Sequence, residues 1–142
     1  RAECRLKVES VLQRLHGVKY VAVRVEQMFG VLLMVYVSPR LASNVKGVFA
    51  DCVKTGFGGN AGNKGGIGVR MQLCGASLCV INSHLDAGQS KPDERNATYH
   101  EILKGLANAY SAARGGPFAS PLEHDLCVWV GDLNYRVELS NE

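Results

Sequence analysis

Three short stretches bring together polar side chains able to handle a phosphate group. The first is Cys127-Val128-Trp129-Val130-Gly131-Asp132-Leu133-Asn134. Its apolar run delivers Asp132 and Asn134 at i, i+2, so on an extended chain both side chains leave one face. A carboxylate can orient or deprotonate water beside a divalent metal, and an amide can hold a phosphoryl oxygen. The same two residues also suit an Asx-turn that only caps a strand. The second stretch, Val80-Ile81-Asn82-Ser83-His84-Leu85, again runs an apolar strand into polar groups. Strand ends hold side chains still while leaving them open to solvent. His84 suits contact with a phosphoryl oxygen or proton donation, and it equally suits a packing role.

The third stretch is Gly56-Phe57-Gly58-Gly59-Asn60-Ala61-Gly62-Asn63-Lys64-Gly65-Gly66. Glycine at this density is costly to order as helix or strand, so a loop is predicted. Such a loop lets backbone N–H groups approach an anion, with Lys64 adding a full charge and Asn63 an amide donor. It does not match the P-loop, which needs four residues between its glycine and Gly-Lys, followed by Ser or Thr. An ordinary surface loop is the competing reading.

These stretches need elements to position them. Leu6, Val8, Val11, Leu12 and Leu15 recur near one helical stripe, and Gly17 ends that helix. Tyr20 to Val25 alternates as a strand. Met28 to Val37 is continuously apolar and reads as a strand buried on both faces, stopped by Pro39. Val45 to Val53 is a further strand. Ile67 to Leu73 and Leu78 to Asn82 form a hairpin about Gly75. Pro92-Asp93-Glu94 starts a helix on which Tyr99, Ile102, Leu103, Leu106, Ala107 and Tyr110 share a face, broken by Gly115-Gly116-Pro117. Leu126 to Val130 reads as one more buried strand. Strands with helices inserted predict an α/β fold, a layered sandwich.

The 142 residues fit one domain or part of a larger one, and 46% hydrophobic with 20% charged residues excludes wholesale disorder. The apolar run from Met28 is about ten residues, half of what a membrane-spanning helix needs. Sixteen Lys and Arg against thirteen Asp and Glu leave a net charge of +3. That is too small a surplus for the wide basic surface of a nucleic-acid binder, so no nucleic-acid partner is expected. Five cysteines without a Cys-x-x-Cys pair suggest reduced thiols and a cytoplasmic location, with no disulfide frame and no zinc site.

Taken together, Gly62-Asn63-Lys64-Gly65-Gly66, Asn82-Ser83-His84-Leu85, Glu94-Arg95-Asn96 and Trp129-Val130-Gly131-Asp132-Leu133-Asn134-Tyr135-Arg136 resemble the inositol polyphosphate 5-phosphatase family in order and spacing. The resemblance runs from about Tyr20 to Arg136 and implies a DNase I-like two-layer β-sandwich flanked by helices. By that resemblance, residues 1–142 are a partial catalytic domain, incomplete at both ends. The family is similar to other magnesium-dependent phosphoesterases, in which water attacks the 5-phosphate in line. Carried over, Asp132 orients or activates the water, while His84 and Asn134 bind the phosphoryl group. Asn63 and Lys64 bind substrate at the 1-phosphate. Phe57 and the loop to Gly66 lie where the family meets lipid, implying peripheral membrane contact. Glu94 and Arg95 are expected to hold the following helix to the sheet.

The metal-binding Glu of the family falls upstream of Arg1, and Glu26-Gln27 has the wrong order to replace it. Asp86 stands where the family commonly has a small residue, adding negative charge near the phosphate. The chain is therefore expected to turn over little by itself, and its full-length parent to hydrolyse inositol phosphates or phosphoinositides with Mg2+. A nuclease of the wider superfamily and a degenerate, non-catalytic phosphoinositide-binding domain are the alternatives.

Overall fold

The computed structural model describes residues 2–55, 63–114 and 120–136. The first helix, α1 (Ala2–His16), closes with the Gly17 N–H donating to the Gln13 carbonyl, as the glycine signal predicts. It buries none of its residues. Leu6 and Leu15 remain about two-thirds exposed (65% and 67%), so the predicted stripe is not an inward face among the described residues. One link to the sheet is polar, Tyr36 Oη donating to Glu9 at 3.5 Å.

A hairpin follows, β1 (Val21–Met28) and β2 (Val31–Val37), paired antiparallel. The continuous strand expected from Met28 is thus split: Met28 ends β1 and pairs with Val31 across the Phe29-Gly30 turn. Nor is β2 buried on both faces. Its burial alternates, with Val31, Leu33, Val35 and Val37 turned inward. Hydrophobicity alone cannot distinguish a fully buried strand from one whose outer apolar face is half covered.

The second sheet has the order β3 (Val45–Lys54), β4 (Gly65–Leu73), β5 (Ala76–His84), β6 (Leu126–Asp132). The β3–β4 and β4–β5 pairs are antiparallel, and β4–β5 turns at Gly75 as predicted. β6 runs parallel to β5, a pairing that requires a crossover. The long helix α2 (Pro92–Arg114) supplies it. Ser120 then caps a short 3-10 turn, Pro121–Glu123, with a reciprocal bond pair to Glu123 before β6 begins.

Two apolar clusters join these layers. Between the sheets, Met28, Val31, Leu33 and Val35 meet Ile67, Val69 and Met71. On the opposite face of the larger sheet, Cys79, Ile81 and Leu85 pack with Ile102 and Leu106 of α2. Glycines on β4 allow the second contact. A Cβ on Gly66 would stand 2.7 Å from Ile102, and one on Gly68 2.8 Å from Leu106. Gly66, predicted to open backbone to a ligand, is occupied by helix packing.

β6 corrects a further expectation. Cys127 and Trp129 turn toward the α2 side, but Leu126, Val128 and Val130 on the other face are 51%, 38% and 45% exposed. The two-stranded sheet contacts β3, β4 and β5, and this face of β6 stays only partly covered.

The end of β6 sits unusually close to β5. Gly131 has φ +127°, and a Cβ there would fall 2.0 Å from the Ser83 carbonyl oxygen. Gly131→Ala is expected to destabilise the fold by about 1–3 kcal/mol, read as a lower urea midpoint, because both strain and backbone overlap oppose it. The thiols give an independent check of the core. Burial pushes the Cys79 thiol up to about 12, whereas Cys4 and Cys74 are exposed. Iodoacetamide at pH 8 should label Cys4 and Cys74 in the native protein and reach Cys79 only after denaturation.

Candidate active site

The ends of three adjacent strands lie side by side. Gly65 on β4 is the lateral partner of His84 on β5, and His84 is the lateral partner of Asp132 on β6. Lys64 directly precedes this row, its carbonyl accepting from the Thr55 N–H at 3.2 Å. That bond ties Lys64 to the end of β3.

The side chains follow the backbone. Lys64 Nζ stands 2.6 Å from His84 Nε2, and the same Nε2 is 3.5 Å from Asp132 Oδ2. An ammonium only donates, so in its contact with Lys64 the His84 Nε2 is the acceptor. The His84 side chain is 20% exposed and that of Asp132 is 64% exposed. The group therefore opens to solvent, as a substrate site must.

Asn134 is held differently. Its backbone N–H donates to Asp132 Oδ1 at 3.2 Å, so the Asx-turn reading of this motif is realised. Its side-chain amide donates to the Leu85 carbonyl at 2.9 Å, and its oxygen accepts from Arg136 at 3.2 Å. Asp132 thus divides its oxygens, Oδ1 to the turn and Oδ2 toward His84. Asn63 is exposed and lies against the β1–β2 turn, where a Cβ on Gly30 would come 3.2 Å from its own Cβ.

The polar neighbours of His84 are structural. Ser83 is buried and accepts from Trp129 Nε1 at 2.8 Å. Asn82 donates to the Leu32 carbonyl at 2.9 Å, pinning one sheet to the other. Asp86 accepts from Thr98 on α2. Arg95, 2% exposed, donates to the Gly88 carbonyl and lies 5.3 Å from the Tyr135 ring centre. It holds the start of α2 to the loop after β5 and not, as expected, to the sheet itself, whereas Glu94 stays exposed and faces Lys91 at 3.7 Å.

Sequence reasoning gives no role to Phe29 or Arg136. Phe29 is 77% exposed at the hairpin turn beside Asn63, and the turn itself was hidden inside the apolar run. Arg136 stands two residues beyond Asn134, and that spacing was the available signal. Phe57, with residues 56–62 of the glycine loop, lies outside the described residues. A divalent cation is implied by the resemblance, but His84 and Asp132 do not suffice to hold one. Among the described residues no group of three or more His, Cys, Asp or Glu side chains converges.

Comparison with known proteins agrees with this architecture. Residues 2–142 match the family model described as Endonuclease/Exonuclease/phosphatase family 2. Synaptojanin-2 of Rattus norvegicus is 39% identical over 136 residues, 96% of this chain and 8% of that protein. Synaptojanin-1 of Homo sapiens is 44% identical over 124 residues, 87% of this chain and 7% of that protein. This chain therefore spans under a tenth of the length of these two relatives. A crystal structure of the inositol polyphosphate 5-phosphatase domain of SPsynaptojanin, in complex with inositol (1,4)-bisphosphate and a calcium ion, superposes with a TM-score of 0.77. It is 34% identical, and the match covers 94% of this chain and 37% of that one. The chain belongs to the endonuclease/exonuclease/phosphatase family, within its inositol polyphosphate 5-phosphatase members.

Proposed function

We propose that this chain is the part of a phosphatase domain that binds and hydrolyses the 5-phosphate of inositol phosphates or phosphoinositides. One observation carries the reading: an ammonium, an imidazole and a carboxylate meet at the ends of β4, β5 and β6. They do so in a fold shared with a 5-phosphatase domain whose structure contains inositol (1,4)-bisphosphate.

In this reading the oxygen of water forms the new bond to phosphorus as the bond to the ring oxygen breaks. The products are inorganic phosphate and the ring alcohol. Asp132 accepts a hydrogen bond from the water and orients it toward phosphorus. His84 and Asn134 bind the phosphoryl group and steady its charge in the transition state. Asn63 and Lys64 hold the anionic head group. Magnesium is the proposed cofactor. Because the described residues do not complete a cation site, this chain alone is proposed to turn over little.

Peripheral membrane contact through the loop from Phe57 to Gly66 belongs to the same proposal. Supporting it is the exposed Phe29, which stands at the neighbouring turn beside Asn63. Five free cysteines support a reducing, cytoplasmic setting.

The test uses the intact protein with inositol 1,4,5-trisphosphate and, separately, duplex DNA. The expected result is release of phosphate with inositol 1,4-bisphosphate as product, abolished by chelation, restored by Mg2+, and no nicking of DNA. Asp132→Asn is expected to lower kcat at least 100-fold, with KM changed little, since the carboxylate acts on water and not on the bound head group. DNA cleavage without phosphate release, or wild-type kcat in Asp132→Asn, contradicts the proposal.

A further inference from the structure

Lys54 ends β3 in the same row as the candidate site. It is the lateral partner of Gly65, which pairs in turn with His84, and His84 with Asp132. Lateral partners leave a sheet on one face. Cys52, two residues before Lys54, and Val80, four before His84, both pack toward the two-stranded sheet, so Lys54 and His84 project from that face. Neighbouring strands lie about 4.8 Å apart, which sets the two backbones about 10 Å from each other. Gly65 puts no side chain between them. A Cβ there would come 2.9 Å from Met28 Cε and 3.0 Å from Lys54 Cα, so the β1–β2 turn, Lys54 and His84 share one rim.

Lys54 is exposed and enters no ion pair among the described residues. Asp51 lies on the opposite face of β3, the face from which Val53 meets Gly105 of α2. Glu26 is taken by Arg24 at 2.6 Å. At the turn after Met28 the Phe29 ring stands in solvent, 77% exposed. A bilayer interface accepts this pairing, since the apolar group enters the acyl boundary while the cation stays among the lipid phosphates. We propose that this rim docks on an anionic bilayer, with Lys54 against lipid phosphates and Phe29 in the acyl boundary, so that a lipid head group reaches His84 from the membrane side. The inference rests on the 5-phosphatase reading above and adds to it a cation outside the glycine loop and the sign of the lipid charge.

The test uses the intact protein on inositol 1,4,5-trisphosphate in solution and on phosphatidylinositol 4,5-bisphosphate in phosphatidylcholine vesicles, with and without phosphatidylserine. The wild-type protein is expected to act faster on vesicles containing phosphatidylserine, an advantage that added salt removes. Lys54→Gln is expected to lower kcat/KM on those vesicles about fivefold, the effect of one surface cation, while the soluble substrate changes by less than about twofold. Lys54→Arg keeps the charge and is expected to match the wild type. Phe29→Ser is expected to weaken co-sedimentation with both kinds of vesicle, because an apolar contact does not depend on lipid charge.

An equal loss for Lys54→Gln on soluble and vesicle substrates would put Lys54 on the head group and overturns the inference. Unchanged activity of Lys54→Gln on phosphatidylserine vesicles overturns it as well. If the wild-type protein releases phosphate from no substrate, the 5-phosphatase reading fails. Co-sedimentation of wild type and Lys54→Gln with phosphatidylserine vesicles then still decides the lipid contact, with weaker binding of the variant expected and equal binding contradicting it.

Discussion

Every candidate side chain depends on the lateral register of β4, β5 and β6. Gly65, His84 and Asp132 stand in one row because β4–β5 is an antiparallel hairpin and β5–β6 a parallel pair with a helical crossover. A slip of one residue in either pairing would send one partner to the opposite face of the sheet. Two devices oppose such a slip. At Gly131 the backbone of β6 fits against the Ser83 carbonyl where no side chain has room. Farther along, Trp129 donates to Ser83 and packs on Tyr99, with ring centres 4.5 Å apart.

The polar contacts of the site do not hold it together. A part-exposed hydrogen bond such as that from Lys64 to His84 contributes only about 0.5–1.5 kcal/mol. Burying a single aliphatic side chain contributes about 1.5–3 kcal/mol, and Ile67, Ile81, Leu85 and Ile102 are each almost fully buried. Packing therefore fixes the strand ends, and the polar groups take the geometry that packing imposes. The glycines after Lys64 belong to this division of labour. They let α2 settle on β4, and the lysine before them is left at the rim of the sheet.

Much of this was legible in the residues. Period-2 and period-3.6 patterns located most of the elements, and the motif residues His84 and Asp132 fell at strand ends as anticipated. What escaped had physical causes. A run of apolar residues from Met28 concealed a turn, because Phe29 is hydrophobic yet exposed. An apolar β6 suggested burial on both faces, but coverage depends on how many strands lie opposite, which no local pattern encodes. The direction of Lys64 was equally hidden, since it depends on pairing with residues 20 positions away. Asn134 met both of its open readings in part: its backbone forms the turn, and its side chain is engaged by Leu85 and Arg136.

The central claim is that one anion-binding point exists where β4, β5 and β6 end. Titrating the intact protein with inorganic phosphate while following the ring resonances of its histidines tests it most directly. Within this chain the four histidines, His16, His84, His100 and His124, report on separate places. The account predicts a saturable shift of His84, with the signals of His16 and His124 unmoved. A shift at His16 or His124 with His84 unchanged, or no response at all, would contradict it.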